Sequence, residues 1–290
     1  MTRGEKTHSA AIRSTVRSAA DAFFRLWPGR IRRWGRLALD PAARVREAEL
    51  HRLRSLQKNQ HSTTRLFGVP FEFLDANSFL YLYDELVVKG SYTFSSPTPS
   101  PRIIDGGANI GVGILAFKRQ YPAARIIAFE PDPEIFAMLE RNCERFRWSD
   151  VTLVRKALWN AETQLDFSPD GADAGRLADG LTQEKTIKVR TGRLGDCLVE
   201  KVDLLKLDIE GAETVVLENC AGKLGCVDRI FVEYHSFAHQ PQTLSRLVSV
   251  LADAGFRLQI HSPMMCVQPF VSRPTMHGMD ALLHIFAFRT

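Results

Sequence analysis

The chain has 290 residues, 45% of them hydrophobic, enough to bury the core of one large domain carrying an appendage. Its net charge of +5 is unevenly spread: residues 1–60 hold fourteen Lys or Arg against five Asp or Glu, so the remaining 230 carry twenty-four against twenty-eight. A nucleic-acid substrate favours positive charge around the site it occupies, and a balance of −4 outside the arm argues against one.

In chain order, the first predicted element is an amphipathic helix. Ile12, Val16, Ala19, Ala20, Phe23, Phe24 and Trp27 recur at helical spacing with Arg13, Arg17 and Arg25 between them, and Pro28-Gly29 stops the run. A short basic segment follows over Ile31–Leu39. Asp40-Pro41 then supplies an N-cap and a first-turn proline for a helix to about Lys58. Arginine opposite Phe and Trp suits a helix lying on anionic lipid, and equally one packed on the domain or on a second subunit.

The segment from Arg65 to Phe94 is apolar and aromatic. Alternation at Val69, Phe71 and Phe73 predicts a strand or hairpin, and Asn77–Lys89 a short helix, either capping a sheet edge or, instead, offering an aromatic face to the acceptor pocket. The run Ser95-Ser96-Pro97-Thr98-Pro99-Ser100-Pro101 marks a boundary.

Beyond it, strands and helices alternate, which predicts an α/β, mostly parallel sheet with helices on both faces. Predicted strands are Arg102–Asp105, Arg125–Glu130, Val151–Leu158, Thr186–Arg190, Val202–Ile209, Arg229–Tyr234, Phe256–Ile260 and Leu282–Phe288. Predicted helices are Ile114–Tyr121, Pro133–Arg145, Ala212–Cys220 and Pro241–Ala254, with 160–181 a polar loop or ragged hairpin. In open sheets of this type ligands sit at the carboxyl ends of strands. Asp105, Glu130, Asp208 and His235 all fall there.

The organising stretch is Arg102–Gly113: two β-branched residues, an acid, a glycine-rich turn, then helix. Glycine at 106, 107, 111 and 113 lets the backbone take unusual angles or admit a ligand closely. Glu130, nineteen residues after Gly111, is placed to accept both hydroxyls of a ribose. The spacing Asp105-x-Gly107-x-Asn109-x-Gly111 is not the dinucleotide fingerprint, and no Lys-Ser or Lys-Thr follows to make a phosphate loop. An acid opening the loop repels pyrophosphate and suits a ligand with an ammonium and a sulfonium, such as S-adenosylmethionine.

The strings IIDGGANIG (103–111), AFEPDPEIFAMLERN (128–142) and LLKLDIEGAE (204–213) resemble, in order and spacing, the FkbM family of S-adenosylmethionine-dependent methyltransferases. The resemblance covers about residues 66–290. It implies a class I methyltransferase, Rossmann-like fold with a seven-stranded sheet whose last strand is antiparallel, and methylation of a hydroxyl on a sugar, glycan or natural product. The extra residues in Thr191–Asp196, where the family has Thr-Leu-Asp, depart from its pattern.

The expected donor contacts are Asp105, Gly107, Asn109, Gly111, Glu130, Pro131, Ala157 and Asp208. Lys206, Asp208 and Glu210 fall on one side of a strand if it runs that far, and with His235 they are the expected catalytic group. Asp208, Glu210 and His235 are the candidate bases, and Glu213 is a candidate cap for its helix. His235 and His239 are four apart, but on an expected loop, so no metal is assigned. The Met-rich stretch His261–Asp280 is expected to cover the acceptor.

Five scattered cysteines (Cys143, Cys197, Cys220, Cys226, Cys266) indicate neither a disulfide framework nor a zinc knuckle and fit a reducing compartment. No apolar run approaches the roughly 20 residues that span a bilayer. The expected organisation is a basic helical arm (1–62), an aromatic cap and linker (63–101) and an S-adenosylmethionine-binding domain (102–290), in a cytoplasmic protein with a peripheral membrane contact or self-association through the arm. A nicotinamide-dependent oxidoreductase and a non-catalytic methyltransferase-like binding module are the alternatives. The first lacks its glycine spacing, and the second has no use for Lys206, Asp208 and Glu210.

Overall fold

A computed structural model describes residues 40–169, 175–177, 186–264, 268–272 and 275–289. The expected helix over 12–27, the segment 31–39 and residues 265–267 and 273–274 of the Met-rich stretch lie outside these. The chain divides into two compact units, Met1–Leu56 and Gln57–Thr290. In the first, helix α1 (Pro41–Arg54) begins as predicted, with Asp40 accepting the Ala42 N–H at 3.0 Å. It stops four residues short of Lys58, because the Ser55 hydroxyl takes the Arg52 carbonyl at 2.7 Å and competes with the helical ladder.

The second unit opens with a small antiparallel pair, β1 (Ser62–Thr64) and β2 (Phe71–Phe73). Helix α2 (Ala76–Leu82) follows, capped by Asp75 through the N–H groups of Asn77 and Ser78, both at 2.9 Å. The single helix expected over 77–89 changes character at Tyr83: residues Tyr83–Lys89 form a π-helical segment ended by Gly90 in the left-handed conformation.

The main sheet contains β3 (Arg102–Gly106), β4 (Arg125–Phe129), β5 (Val151–Val154), β10 (Leu204–Leu207), β11 (Arg229–Phe237), β12 (Arg257–His261) and β13 (Met279–Phe288). They are ordered β12-β13-β11-β10-β3-β4-β5, and only β13 runs antiparallel to its neighbours. This is the seven-stranded α/β sheet expected. From β3 the chain winds outward through β4 and β5, then returns to the other side of β3 with β10. That reversal opens a crevice at the carboxyl ends of β3 and β10.

The strand period of two sorts the core. Ile104, Leu205, Leu207, Ile230 and Val232 share one cluster with α5 (Glu213–Cys220) and α6 (Leu244–Asp253), including Val216, Leu217, Leu247 and Leu251. Ile103, Ile126, Ala128 and Leu204 point the other way, onto α3 (Val112–Gln120) and α4 (Pro133–Phe146) through Ile114, Phe117, Phe136 and Leu139.

The strand expected over Val151–Leu158 is two. After β5 the Lys156 N–H closes on the Val154 carbonyl at 2.9 Å, and β6 (Ala157–Trp159) leaves the main sheet to pair with β9 (Ile187–Arg193). A second sheet, β6-β9-β7-β8, results, in which β7 (Gln164–Ser168) and β8 (Arg176–Leu177) are the ragged hairpin expected near 160–181. Among the described residues no helix is long and apolar enough to cross a membrane.

Candidate active site

The loop after β3 is built for close approach. Gly107 (φ +82°) has no room for a side chain: a Cβ there would lie 1.8 Å from the Asp208 carbonyl oxygen. The loop is fastened to β4 by the Gly107 and Ala108 N–H groups, which both donate to the Phe129 carbonyl, at 3.0 and 2.8 Å. Asn109 adopts φ +49°, a conformation its short polar side chain tolerates, with Oδ1 accepting the Ile110 N–H at 2.6 Å. Gly111 caps α3 and does not line the crevice; a Cβ there would meet Leu139 at 2.8 Å.

Glu130, just past β4, is buried, and its two oxygens accept the N–H groups of Asn109 (3.0 Å) and Asp132 (2.9 Å). Burial pushes its carboxyl up to about 7 against the pull of those donors. Asp132 in turn caps α4. Asp105, next to last in β3, is 1% exposed, and neither of its oxygens has a hydrogen-bond partner. Lys206 lies 3.2 Å from Asp105 Oδ1, an ion pair without hydrogen-bond alignment, and burial raises the Asp105 carboxyl.

Lys206 faces Asp105 because the two occupy matched positions of paired strands. Its ammonium donates to the carbonyls of Gly106 (3.1 Å) and Gly107 (2.5 Å) and lies 3.4 Å from Asp208 Oδ2. Burial opposes its charge; Asp105 and Asp208 outweigh that and raise it above the usual lysine range.

Strand β10 stops at Leu207, so alternation does not place Glu210 as the sequence suggested. Glu210 gets there through a left-handed turn, at φ +54°, before Gly211 at φ +101°. His235 is also not where it was expected: β11 runs on to Phe237, and His235 sits within it opposite Leu282. Its Nδ1 is 3.0 Å from Glu213 Oε1, and its Nε2 is 3.4 Å from Glu210 Oε2. Burial opposes a charge on the imidazole, but Glu210, Glu213 and Asp208 raise it well above the usual histidine range. Glu213 caps the turn before α5, accepting the N–H groups of Ile209 and Gly211.

Asp105, Gly107, Asn109, Glu130, Pro131, Ala157, Lys206, Asp208 and Glu210 line one crevice; His235 and Gly111 lie behind its wall. Leu82, Leu86 and Tyr92 of the cap segment line it too, as do Leu158 and Phe167. The sequence reading missed Glu233 beside His235. Strand period would have found it, because residues two apart on a strand share a face. Met264 packs with Phe237, Met279 and Leu282.

The chain is similar in sequence to known methyltransferases. The chain is 28% identical over 209 residues to Methyltransferase 1 of Beauveria bassiana, covering 63% of this chain and 83% of that one. It is 30% identical over 151 residues to the hexuronic acid methyltransferase AglP of Haloferax volcanii (50% and 60%). It is 28% identical over 186 residues to the 31-O-demethyl-FK506 methyltransferase FkbM of Streptomyces tacrolimicus (52% and 72%). The model of the methyltransferase FkbM domain matches residues 105–258, from the acid near the end of β3 to the second residue of β12. The chain therefore belongs to the FkbM methyltransferase family.

Proposed function

We propose that the protein is an S-adenosylmethionine-dependent O-methyltransferase acting on a hydroxyl of a sugar, glycan or natural product. The observation that carries this reading is the pair Asp105 and Glu130, at the ends of adjacent strands on either side of a glycine loop, with both Asp105 oxygens buried and without hydrogen-bond partners. Such oxygens fit a cationic ligand. The donor's ammonium end belongs beside Asp105 and Gly107, its ribose beside Glu130, and its base toward Pro131, Ala157 and Leu158. When bound, the donor supplies a methyl group on a positively charged sulfur.

The chain's own work is to orient and to accept a proton. Lys206, tied to two loop carbonyls, fixes the cradle and lacks a free role in proton transfer. Asp208 and Glu210 border the crevice on the acceptor side, and Glu210 takes the hydroxyl proton. His235, held on Nδ1 by Glu213, stands with Nε2 3.4 Å from Glu210 Oε2 and 3.9 Å from Asp208 Oδ1, behind the acceptor-side acids. Leu82, Leu86 and Tyr92 give the acceptor side an apolar wall. The names of AglP, a hexuronic acid methyltransferase, and FkbM, a 31-O-demethyl-FK506 methyltransferase, support the acceptor class.

Calorimetry with S-adenosylhomocysteine and with NAD tests the donor, and transfer of labelled methyl to candidate sugars and natural products tests the reaction. Binding of NAD without S-adenosylhomocysteine would sink the reading.

A further inference from the structure

Glu233 and His235 stand two apart on β11 and so share the face that Lys206 occupies on β10, where it pairs with Phe231. Asp208 follows β10 on that side. One ligating atom from each of Asp208, Glu233 and His235 lies within 4.8 Å of the other two. The imidazole is set as a metal ligand's is: a carboxylate, Glu213, grips Nδ1 at 3.0 Å, and Nε2 is left between Glu210 Oε2 at 3.4 Å and Asp208 Oδ1 at 3.9 Å. Glu213 is itself pinned by two backbone N–H groups. On the far flank His284, 8% exposed, directs Nε2 at Glu233 Oε2 from 3.3 Å without a hydrogen-bond partner, so the carboxylate side of the cluster is braced but not satisfied.

Charge points the same way. Asp208, Glu210, Glu213 and Glu233 gather around one imidazole, and the nearby Lys206, 3.4 Å from Asp208 Oδ2, is shared with Asp105 and the loop carbonyls. Carboxylates gathered out of water are costly unless a cation joins them.

We propose that Asp208, Glu233 and His235 bind one divalent cation of the manganese class at the wall of the crevice, where Asp208 lines it. Two carboxylates with one imidazole suit Mn²⁺, which takes oxygen ligands readily and accepts nitrogen. Ligand atoms on an ion with bonds of about 2.1 Å stand roughly 3 to 4.3 Å apart, so a small rotation of Glu233 closes the set. The role of the ion rests on the methyl-transfer reading: it holds the acceptor hydroxyl on an open position. The methyl carbon then leaves sulfur, which departs as a neutral thioether, and bonds to the oxygen, whose proton passes to Glu210.

The test is electron paramagnetic resonance of free Mn²⁺ titrated with the EDTA-treated full-length protein, with S-adenosylhomocysteine affinity measured on the same preparation. One ion bound per chain is expected, with affinity falling at least about tenfold in Glu233→Gln and in His235→Gln. Thermal unfolding is the second measurement, and covers a variant that folds poorly: Mn²⁺ raises the melting temperature of the wild type and leaves that of Glu233→Gln unmoved. Mn²⁺ bound without S-adenosylhomocysteine would keep the cation site and discard the donor. S-adenosylhomocysteine bound with no Mn²⁺ taken up, or Mn²⁺ binding unaltered in both variants, would overturn the site.

Discussion

Glu130 serves two masters, since the carboxylate that ties down Asn109 and Asp132 is also the proposed ribose acceptor. With its carboxyl raised from 4.5 to about 7, the folded chain holds a proton between those values that the unfolded chain has released. This group's contribution to stability therefore declines as pH rises across that window. The ribose hydroxyls need the ionised form, so S-adenosylhomocysteine affinity is expected to rise with pH through about 7, as a calorimetric pH series would show. Glu130→Ala should weaken it by about tenfold or more, the worth of a hydrogen bond to a charged group, and abolish the pH dependence.

Glu210→Gln should lower kcat by roughly 10²- to 10⁴-fold with donor affinity retained, as loss of a general base does; an unchanged kcat in a steady-state assay would assign the proton elsewhere. Gly107→Ala should fail to fold or lose donor binding in a melting assay, since its Cβ would sit 1.8 Å from the Asp208 oxygen. Gly222→Ala, with nothing within 4 Å, is its tolerated counterpart. The glycines were legible at this scale because their spacing is local. His235 was not: polar residues near a strand end look like a loop until β13, far off in sequence, is seen pairing with them.

At the scale of elements, the strand-loop-helix from Arg102 to Gln120 could be read directly, since an apolar run, glycines and helical spacing follow one another without a gap. Two breaks were hidden. Val151–Leu158 is apolar enough to pass for one strand, although its halves serve different sheets, and a π-helical segment does not disturb the apolar pattern that predicts a helix. The join between β2 and α4 also depends on distant residues. Glu72 is buried against Arg141 and Arg145, and the Glu72 N–H donates to Asn142 Oδ1 at 2.7 Å. Burial opposes its ionisation, but the two arginines win and hold the carboxyl at about 2, against an ordinary 4.5. A depressed carboxyl stabilises the fold fully above 4.5, and the stabilisation drains away as pH falls toward 2. Wild type should therefore melt above Glu72→Gln at pH 7, and the gap should narrow at pH 3 in paired thermal scans.

For the whole molecule, the division of labour follows charge. The crevice-lining residues all belong to the unit Gln57–Thr290, whereas the basic excess lies in residues 1–60. Removal of residues 1–40 should leave S-adenosylhomocysteine affinity unchanged while reducing flotation with anionic liposomes; equal flotation of both forms would rule out peripheral attachment through the arm. The contact between Gly107 and the carbonyl of Asp208, reinforced by the Asp208 N–H on Gly106 at 3.1 Å, has a wider effect. The segment that would grip the donor and the bend that presents the acceptor-side acids are wedged against each other with no slack. New acceptor preferences should thus arise more readily from the cap wall at Leu82, Leu86 and Tyr92 than from the 208–211 bend, where any remodelling shifts the cosubstrate seat as well.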